Sequence, residues 1–473
     1  MTGRDRQEER RGRRRRELME FLPGRGVAFR PGEVVVRPRE EQVEHETDRA
    51  ATLLARTFRC GLRDPGAADR ASRSVRLAGD GDLPVAAAVR VLRAAGIDAH
   101  PNHVLFADCC GPHPAAAAAA VGNPFSGNPF SGNPFSGNPF SGNPFSGNPF
   151  SGNPFSGNPG GAWGNPAVRP DPQAYAESRR NLARPVDLDL GSPPRPAPDG
   201  PRVAVLDVAM PGADSPYRPD FLRGVETVPT ASGPARGGLP DLDRDGFLDK
   251  AAGHGMFVAG IVARTCPQAR VTVIEALSNE GVGDELAIAR QLEALVGRYD
   301  IVNLSFSSYT LQDMPVLAEA VLAVQLGRDL HSPTEESARG AVVVASAGND
   351  ATCHTPYPAG LPDVVSVAAL GPDGPAPFTN YGPWVRASAA GVDVPSTFFR
   401  GFQGASPAGP DGDPDAFRGA ATWSGTSFAA PLVAGKLAQA MQAHGLTPRE
   451  AVTRVIDAPG LARLPMLGTV VTA

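Results

Sequence analysis

Five apolar segments restrict the fold of this chain more than any other feature of its sequence. They are RVAVLDV, VTVIEAL, DIVNLSFS, GAVVVASAG and DVVSVAAL, which begin at residues 202, 271, 300, 340 and 363. They lack polar alternation, which is typical of strands buried on both faces. Apolar residues at helical spacing separate the second segment from the third, around Ile288 and Leu292, and the third from the fourth, between Asp313 and Gln325. The alternation predicts an α/β fold, a mostly parallel sheet with helices on both faces, whose ligand sites lie beyond the carboxyl ends of the strands.

A second pattern of short apolar segments precedes this one. EVVVR, SVRLAG and HVLFA, which begin at residues 33, 74 and 103, are strand candidates. Leu53, Leu54 and Phe58 have helical spacing between the first and second, as do Val85 and Leu92 between the second and third. The order predicts a small α+β, ferredoxin-like domain over residues 20–110. One strand of the full split βαβ pattern is not visible in the sequence.

Residues 111–200 have the composition of a linker. The unit GNPFS is repeated seven times without error between Gly122 and Ser156. Asn before Pro suits a β-turn, Gly and Ser keep the unit flexible, and five residues per repeat are too few to build a core. We interpret this segment as a solvated tether. The alternative is an interaction motif, because each repeat displays an Asn-Pro-Phe tripeptide.

Charge and hydropathy exclude two classes of partner. The formal net charge of the 473 residues is -5, so the chain as a whole is not an electrostatic binder of nucleic acid. Arginines cluster in residues 1–19, where such a run is typical of a solvated tail, with a nucleic-acid contact as the alternative. Because no run of about 18 apolar residues occurs, we predict no membrane span.

The cysteines and the start of the chain bear on its compartment. The arginines are followed by ELMEFLPGRGVAF, which has acids, Pro and Gly where a secretory signal is apolar. The five cysteines lack paired metal spacing, and their number is odd. We therefore expect reduced thiols and a cytoplasmic location. The alternative is export by a route without a conventional signal peptide, in which case Cys266 and Cys353 could form a bridge.

Four polar residues lie where the predicted sheet places a ligand site. Asp207 ends the first apolar segment, and Asn349 follows the fourth. His254 begins the helical stretch in GHGMFVAG, and Ser427 begins the one in SGTSFAAPLVAG. Taken singly, each has a local interpretation as a turn former or a helix cap, and Ser427 in particular is a favoured N-cap. Together they supply the acid, base, nucleophile and amide donor that acyl transfer requires.

The same blocks carry a resemblance to a known family. VAVLD, GHGMFVAG, NLSFS, ASAGN and SGTSFAAPLVAG resemble the signature blocks of subtilisin-like serine proteases, in that family's order and over about residues 200–460. The resemblance implies that Asp207 orients the base and that His254 is the general base and acid. Ser427 is then the nucleophile. Asn349 completes an oxyanion hole with the Ser427 backbone N–H.

The resemblance also implies a substrate site. The family pairs the substrate backbone with the strand after its NxS block, here Ser305, Phe306 and Ser307, so a peptide is expected to add as an edge strand. Ser307 stands where the family usually has Gly. HGMF stands where the family most often shows Thr and His after the Gly, and neither replaced residue does the chemistry.

An intramolecular inhibitor follows from the same resemblance. Many members carry a small α+β propeptide that acts as folding chaperone and inhibitor, and GIDAHPNHVLF resembles the end of such propeptides. We expect cleavage between Cys110 and Pro201 to release it from the tether. The chain then divides into a basic tail (1–19), a propeptide-like inhibitor domain (20–110), a linker (111–200) and a subtilisin-like protease domain (201–473).

An acidic loop is a candidate calcium site. Asp241, Asp243 and Asp245, followed by Gly246 and then Asp249, copy the first nine positions of a calcium loop. Position twelve is Ala252 rather than Glu, and two long flanking helices are missing. Calcium sites are common in the family, while the alternative is an acidic surface loop. No other cofactor is expected.

The resulting prediction is a serine endopeptidase that cuts proteins or peptides through an acyl-enzyme. One alternative is a catalytically silent protease fold that binds partners through its N-terminal domain and Phe-rich repeats, although a decayed enzyme is expected to lose one of the four chemical residues. Another is a serine hydrolase acting on esters or small amides. The order Asp, His, Ser argues against that class, since α/β-hydrolases have the order Ser, acid, His.

Overall fold

The computed structural model describes residues 20–21, 27–63, 65–66, 70–71, 73–79, 83–108, 183–229, 238–242, 244, 246, 248–310, 314–328, 330, 339–404 and 416–472. The basic tail, the GNPFS repeats, Cys109, Cys110, Asp243 and Asp245 lie outside these residues, and the predictions made for them stay predictions. Within the described part of the chain, the helices are too short or too polar to cross a bilayer.

The strands of the described residues form three sheets, with these bounds: β1 Glu20–Phe21, β2 Ala28–Val36, β3 Leu62–Arg63, β4 Arg70–Ala71, β5 Ser74–Gly79, β6 Ala99–Ala107, β7 Arg184–Pro185, β8 Arg202–Val208, β9 Glu226–Val228, β10 Arg270–Leu277, β11 Val282–Asp284, β12 Ile301–Leu304, β13 Phe306–Ser307, β14 Val342–Ser346, β15 Val365–Gly371, β16 Gly374–Pro375, β17 Ala387–Ala390, β18 Val394–Gln403, β19 Ala416–Trp423, β20 Arg463–Leu464 and β21 Gly468–Val470.

The α-helices of the same residues are α1 Val43–Phe58, α2 Val85–Ala94, α3 His254–Thr265, α4 Glu285–Glu293, α5 Pro315–Leu326, α6 Thr426–His444 and α7 Pro448–Val452. Short 3-10 turns span Glu40–Gln42 and Asp220–Leu222, and a π-helical turn spans Thr453–Asp457.

The largest sheet contains all five apolar segments predicted as parallel strands. Its order is β20-β21-β17-β15-β14-β12-β8-β10-β9, and every pair from β21 to β9 is parallel. The central strands are buried on both faces, with Val203, Leu206 and Val344 at 0% exposure. Helix α3 packs with α6, and α4 packs with α5, around this sheet. The α/β prediction is therefore confirmed.

Residues 28–107 supply β2 to β6 of the eight-stranded sheet and form helices α1 and α2 in the predicted order. Strands β6, β2, β5 and β3 pair antiparallel in that sequence. The strand that the sequence did not reveal is β3, whose two residues pair with Ala78 and Gly79. Two residues cannot show an alternating pattern, which is why the sequence missed it. With β3 the chain order is β-α-β-β-α-β, that of a ferredoxin-like unit.

An aromatic cluster that sequence reasoning did not anticipate lies beside α3 and the start of α6. Its rings come from the antiparallel hairpin of β18 and β19 and from the two helices, with neighbouring centroids 4.5 to 6.4 Å apart. Distances of this size are typical of edge-to-face and tilted ring pairs. The members are Phe257, Phe398, Phe399, Phe417, Trp423 and Phe428, all buried.

The cysteines of the described residues are free thiols. Cys266 is buried, Cys353 is exposed, and Cys60 is partly buried. The bridge between Cys266 and Cys353 that the sequence left open is not formed.

Glycines allow α3 to begin close against the sheet and α6 to lie close against α3. A Cβ on Gly255 would lie 2.1 Å from the carbonyl oxygen of Val208, at the end of β8. On Gly435, in α6, a Cβ would lie 2.6 Å from the Cβ of Thr265, the last residue of α3. A side chain at either position would force the elements apart.

We expect Gly255→Ala to lower the free energy of unfolding by about 1 to 3 kcal/mol, because a backbone carbonyl cannot move away as a flexible side chain can. Urea denaturation followed by tryptophan fluorescence measures the change. Gly212→Ala is the matched control, since a Cβ there meets nothing within 4 Å. Equal midpoints for the two variants would contradict the close contact between α3 and β8.

Candidate active site

Asp207 and His254 meet at the carboxyl end of β8. Asp207 is the second-last residue of that strand, and His254 is the first residue of α3. Asp207 Oδ1 lies 2.6 Å from His254 Nδ1 and accepts a hydrogen bond from Val208 N–H at 2.7 Å. An acid at Nδ1 fixes the imidazole tautomer that leaves Nε2 able to accept a proton. Nε2 is buried and has no hydrogen-bond partner among the described residues.

Ser427 lies in the first turn of α6 and does not cap it. The helix begins at Thr426 with Gly425 as its N-cap, and no side chain makes a capping bond. Ser427 Oγ donates instead to the carbonyl oxygen of Ser305, 3.1 Å away. The predicted N-cap role is wrong, because Ser427 is already a helical residue whereas an N-cap precedes the helix. No hydrogen bond joins Ser427 Oγ to His254 Nε2 among the described residues.

Asn349 is held in one orientation by the start of α6. Its Oδ1 accepts hydrogen bonds from both the backbone N–H and the hydroxyl of Thr426, each 2.9 Å long. The amide nitrogen therefore points the other way, and Nδ2 donates to the carbonyl oxygen of Asp108 at 2.6 Å. Thr426 N–H belongs to the first turn of a helix, where amides lack a partner within the helix. Asn349 supplies that partner.

The chain's own residues 104–108 occupy the cleft where a peptide was predicted to add. The first four of these residues are the end of β6, which pairs antiparallel with β11 on one side and with β13 on the other. Ala107 N–H donates to Gly281 O at 2.8 Å, and Asp108 N–H donates to Ser305 O at 3.1 Å. The segment thus lies between two strands, of which only β13 was anticipated from the sequence.

The three residues predicted to bind substrate contact the chain's own residues 107–108 in different ways. Ser305 accepts through its carbonyl, while its Oγ donates to the carbonyl oxygen of Ser427 at 3.0 Å. Phe306 pairs with Ala107 through the backbone, and its side chain is fully buried. Ser307 is the member whose side chain contacts the bound segment.

The side chain of Asp108 fills a small pocket beside Asn349. Its Oδ1 accepts a hydrogen bond from Ser307 Oγ at 2.7 Å, and its Oδ2 accepts one from Ser346 Oγ at 2.6 Å. Only 4% of Asp108 is exposed, and both serines are fully buried. Sequence reasoning missed Ser346 and Asp108. The only signals for them were their places at the end of a predicted strand.

Burial controls the ionisation of this pocket. It raises the pKa of the Asp108 carboxyl to about 7, against the opposite effect of the hydrogen bonds from Ser346 and Ser307 and with a further rise from Asp350. Burial also raises the pKa of Tyr309 well above its ordinary value. Tyr309 therefore keeps its proton and donates to Asp350 Oδ2 at 2.8 Å.

Two places bear on metal binding. In the acidic loop, Asp241 accepts from Gly246 N–H at 2.7 Å, and the buried Asp249 accepts from Leu242 N–H and from Asn279 Nδ2, each at 3.0 Å. A different group, His100, His103 and Glu285, has ligand atoms that all lie within 4.8 Å of one another. His103 Nδ1 is 2.7 Å from Glu285 Oε2, so this group also joins β6 to α4.

Comparison with known proteins gives a family match. The sequence profile of the Subtilase family matches residues 200–458, more than half of the chain. A thermophilic serine proteinase of Bacillus sp. (strain AK1) is 31% identical over 252 residues, which are 49% of this chain and 53% of that protein. A thermostable alkaline protease of Halalkalibacterium halodurans is 28% identical over 211 residues, 42% of this chain and 50% of that protein. The chain spans about half the length of these curated relatives.

The chain is also similar to solved protein structures. A cold adapted subtilisin-like serine proteinase superposes with a TM-score of 0.41 at 20% identity, over 62% of this chain and 96% of that one. A lanthipeptide protease superposes with a TM-score of 0.43 at 21% identity, over 59% of this chain and 86% of that one.

The part of the chain that the family profile matches runs from β8 to α7. It includes Asp207, His254, Asn349 and Ser427. The chain belongs to the subtilase family of serine proteases.

Proposed function

We propose that the chain is a serine endopeptidase that hydrolyses peptide bonds in proteins through Asp207, His254 and Ser427. We also propose that its N-terminal domain keeps it inactive until cleavage. The observation that supports both is the position of Asp108, whose carbonyl oxygen accepts a hydrogen bond from the Asn349 amide. A substrate carbonyl under attack by a serine needs a donor at that oxygen.

Contacts of Ser305 also support the proposal that the Asp108 carbonyl occupies the position of the carbonyl under attack. Its carbonyl oxygen accepts from Asp108 N–H at 3.1 Å and from Ser427 Oγ at 3.1 Å. The serine hydroxyl and the backbone of Asp108 therefore share one acceptor, which brings the nucleophile next to the carbonyl that would be attacked.

In the proposed reaction, Ser427 Oγ leaves Ser305 O, gives its proton to His254 Nε2 and forms a bond to the carbonyl carbon. The C=O electron pair moves onto oxygen, where the Asn349 amide stabilises the charge, an effect typically worth about 3 to 4 kcal/mol. Asp207 stabilises the imidazolium. His254 then gives the proton to the leaving amine as the C–N bond breaks. Water hydrolyses the acyl-enzyme with the same base.

In the precursor, this geometry supports cleavage of the bond between Asp108 and Cys109. That bond lies just before the range expected from the sequence, between Cys110 and Pro201. The cut leaves residues up to Asp108 in the cleft as a bound product, which blocks other substrates. Inhibition then lasts as long as the N-terminal domain stays docked.

Apolar contacts support docking of that domain. Ala28, Val104 and Phe106, from the N-terminal sheet, form a buried cluster with Val282 of the protease domain. Phe106 is only 4% exposed. Burying a side chain of this size is worth about 1.5 to 3 kcal/mol relative to leaving it in water.

Charges on the two domains are complementary. Arg37 and Arg73 both pair with Glu319 in α5, the latter at 3.2 Å. Arg30 lies 3.6 Å from Asp284, the N-cap of α4. The N-terminal domain therefore presents arginines to acids at the starts and sides of α4 and α5.

A buried contact completes the docking surface. Glu285 Oε1 accepts from Val316 and Leu317 N–H, while its other oxygen faces His103. Burial alone would raise the pKa of Glu285, but His100, His103 and the Leu317 amide together hold it below its ordinary value. Glu285 therefore offers a fixed negative charge to the histidines of β6.

Calcium binding by the acidic loop and a cytoplasmic location stay proposals. Asp241 and Asp249 are the members of the loop that the structure describes, and both carboxylates already accept hydrogen bonds within it. Isothermal titration with calcium up to millimolar concentration tests the first, with an absence of heat as the contrary result.

Fluorophosphonate labelling tests the proposed function. We expect the wild-type chain to gain one adduct, because a base activates Ser427, and we expect Ser427→Ala to gain none. Ser192→Ala is the control, since Ser192 is exposed whereas Ser427 is buried, and it should label like the wild type. Intact mass spectrometry reads all three. Two results would favour a catalytically silent binding module instead of a peptidase. One is an adduct on Ser427→Ala, and the other is the absence of an adduct on every chain even after limited proteolysis.

Dilution tests the proposed inhibition. We expect Glu319→Gln to weaken docking of the cleaved N-terminal domain, since Arg37 and Arg73 lose the carboxylate that they contact on the protease domain. The concentration at which half of the enzyme is active should rise by about tenfold. A fluorogenic peptide assay on serial dilutions measures this concentration. Glu226→Gln, in the edge strand β9 of the large sheet, is the control. The same midpoint for both variants would contradict the proposed docking surface.

A further inference from the structure

The side chain of Asp108 indicates which kind of substrate side chain the cleft binds next to the cut bond. Its carbonyl oxygen accepts a hydrogen bond from the Asn349 amide, and its N–H donates to Ser305 O. Asp108 is therefore the residue just before the proposed cut. This step rests on the proposed peptidase function. The side chain is buried in the pocket formed by Ser307 and Ser346.

The pocket matches a short side chain that ends in two oxygens. Each carboxyl oxygen of Asp108 meets one serine hydroxyl, at 2.7 and 2.6 Å. Both serines are fully buried, so they cannot move into solvent to admit a longer group. One more methylene, as in Glu, would drive the carboxyl into the hydroxyls. An apolar side chain would leave the hydroxyls without these bonds, which is costly for buried polar groups.

The charges around the pocket favour an uncharged acid. Among the described residues, Asp350 raises the pKa of Asp108 and Asp108 raises that of Tyr309, and neither neighbour is a cation. Ser307 and Ser346 can accept as well as donate, so one of them can receive the proton of a carboxylic acid. A pocket for an ionised carboxylate would place Arg or Lys there instead.

We propose that the pocket of Ser307 and Ser346 makes the enzyme selective for aspartate on the amino side of the cut bond. Asp108 is then the first such residue, and the N-terminal domain carries the enzyme's own recognition sequence, residues 104–108, in the cleft. Ser307 and Ser346 are specificity-determining residues, which act on the side chain of the substrate and not on the reacting carbonyl.

A double-mutant cycle on self-cleavage of the full chain tests the proposal. We expect Asp108→Leu and Ser346→Ala each to slow the appearance of the N-terminal fragment by about tenfold or more. Because both remove the same hydrogen bond, the double variant should be slower than the wild type by much less than the product of the two effects. Ser192→Ala serves as the control for a serine outside the pocket. Effects that multiply fully, or equal rates for Asp108→Leu and the wild type, would overturn the proposal.

Peptides separate this proposal from the function on which it rests. Val-Leu-Phe-Ala-X-p-nitroanilide, with X as Asp, Glu, Ala or Leu, is assayed at pH 6 with the self-processed wild-type chain. We expect kcat/KM for Asp to exceed that for Glu and Leu by about tenfold or more. Equal values for all four would overturn the selectivity and leave the peptidase intact. Cleavage of none, together with no fluorophosphonate adduct, would overturn the peptidase itself.

A fifth peptide of the same sequence with X as Asn gives a second readout that a merely structural role would not move, the ratio of kcat/KM for the Asp peptide to that for the Asn peptide. The pKa of the carboxyl rises from 3.8 to about 7 on entering the pocket, so the bound form is the acid. The ratio is then highest below pH 4, falls with rising pH, and is constant above pH 7. We expect a fall of more than about tenfold from pH 5 to pH 7. A constant ratio would overturn binding of the acid form.

Discussion

The amide of Asn349 joins three parts of the molecule, and the arrangement of the site depends on its orientation. Its oxygen accepts both Thr426 donors, so the start of α6 is tied to the loop after β14. The same contact turns its nitrogen toward Asp108. Ser427 follows Thr426 directly, and its position is therefore set by the amide that would stabilise the charge its attack creates. A donor fixed in advance need not reorganise during the reaction, which is the source of its catalytic value.

The proposed inhibition and the proposed substrate recognition use one set of contacts. A strand held on both sides, by β11 and β13, is the arrangement through which an extended peptide adds to a sheet. Here the chain supplies that strand itself, which under the proposal closes the cleft to other substrates. The buried carboxyl of Asp108 makes this closure sensitive to pH. Because burial raises its pKa, the contribution of Asp108 to docking is largest where the acid is protonated and falls as the pH rises toward 7.

The sequence predicted the parts of the structure that local pattern determines. Unbroken apolar runs marked β8, β10, β12, β14 and β15, and the carboxyl ends of such strands placed Asp207 and Asn349 at one edge. It could not predict β3, which is too short for a pattern, or the aromatic hairpin of β18 and β19. The bond from Ser346 to Asp108 joins residues 238 positions apart, and no local signal carries such a contact. The N-cap assignment of Ser427 failed because helix propensity does not tell the N-cap from the first turn.

The most direct test of this account is the C-terminal residue of the N-terminal fragment that the purified wild-type chain releases. Mass spectrometry of the fragment reads it without labels or substitutions. The account predicts that the fragment ends at Asp108, because that carbonyl lies on the Asn349 amide. A fragment that ends at another residue, or a chain that takes the fluorophosphonate at Ser427 while the bond from Asp108 to Cys109 stays intact, would contradict it.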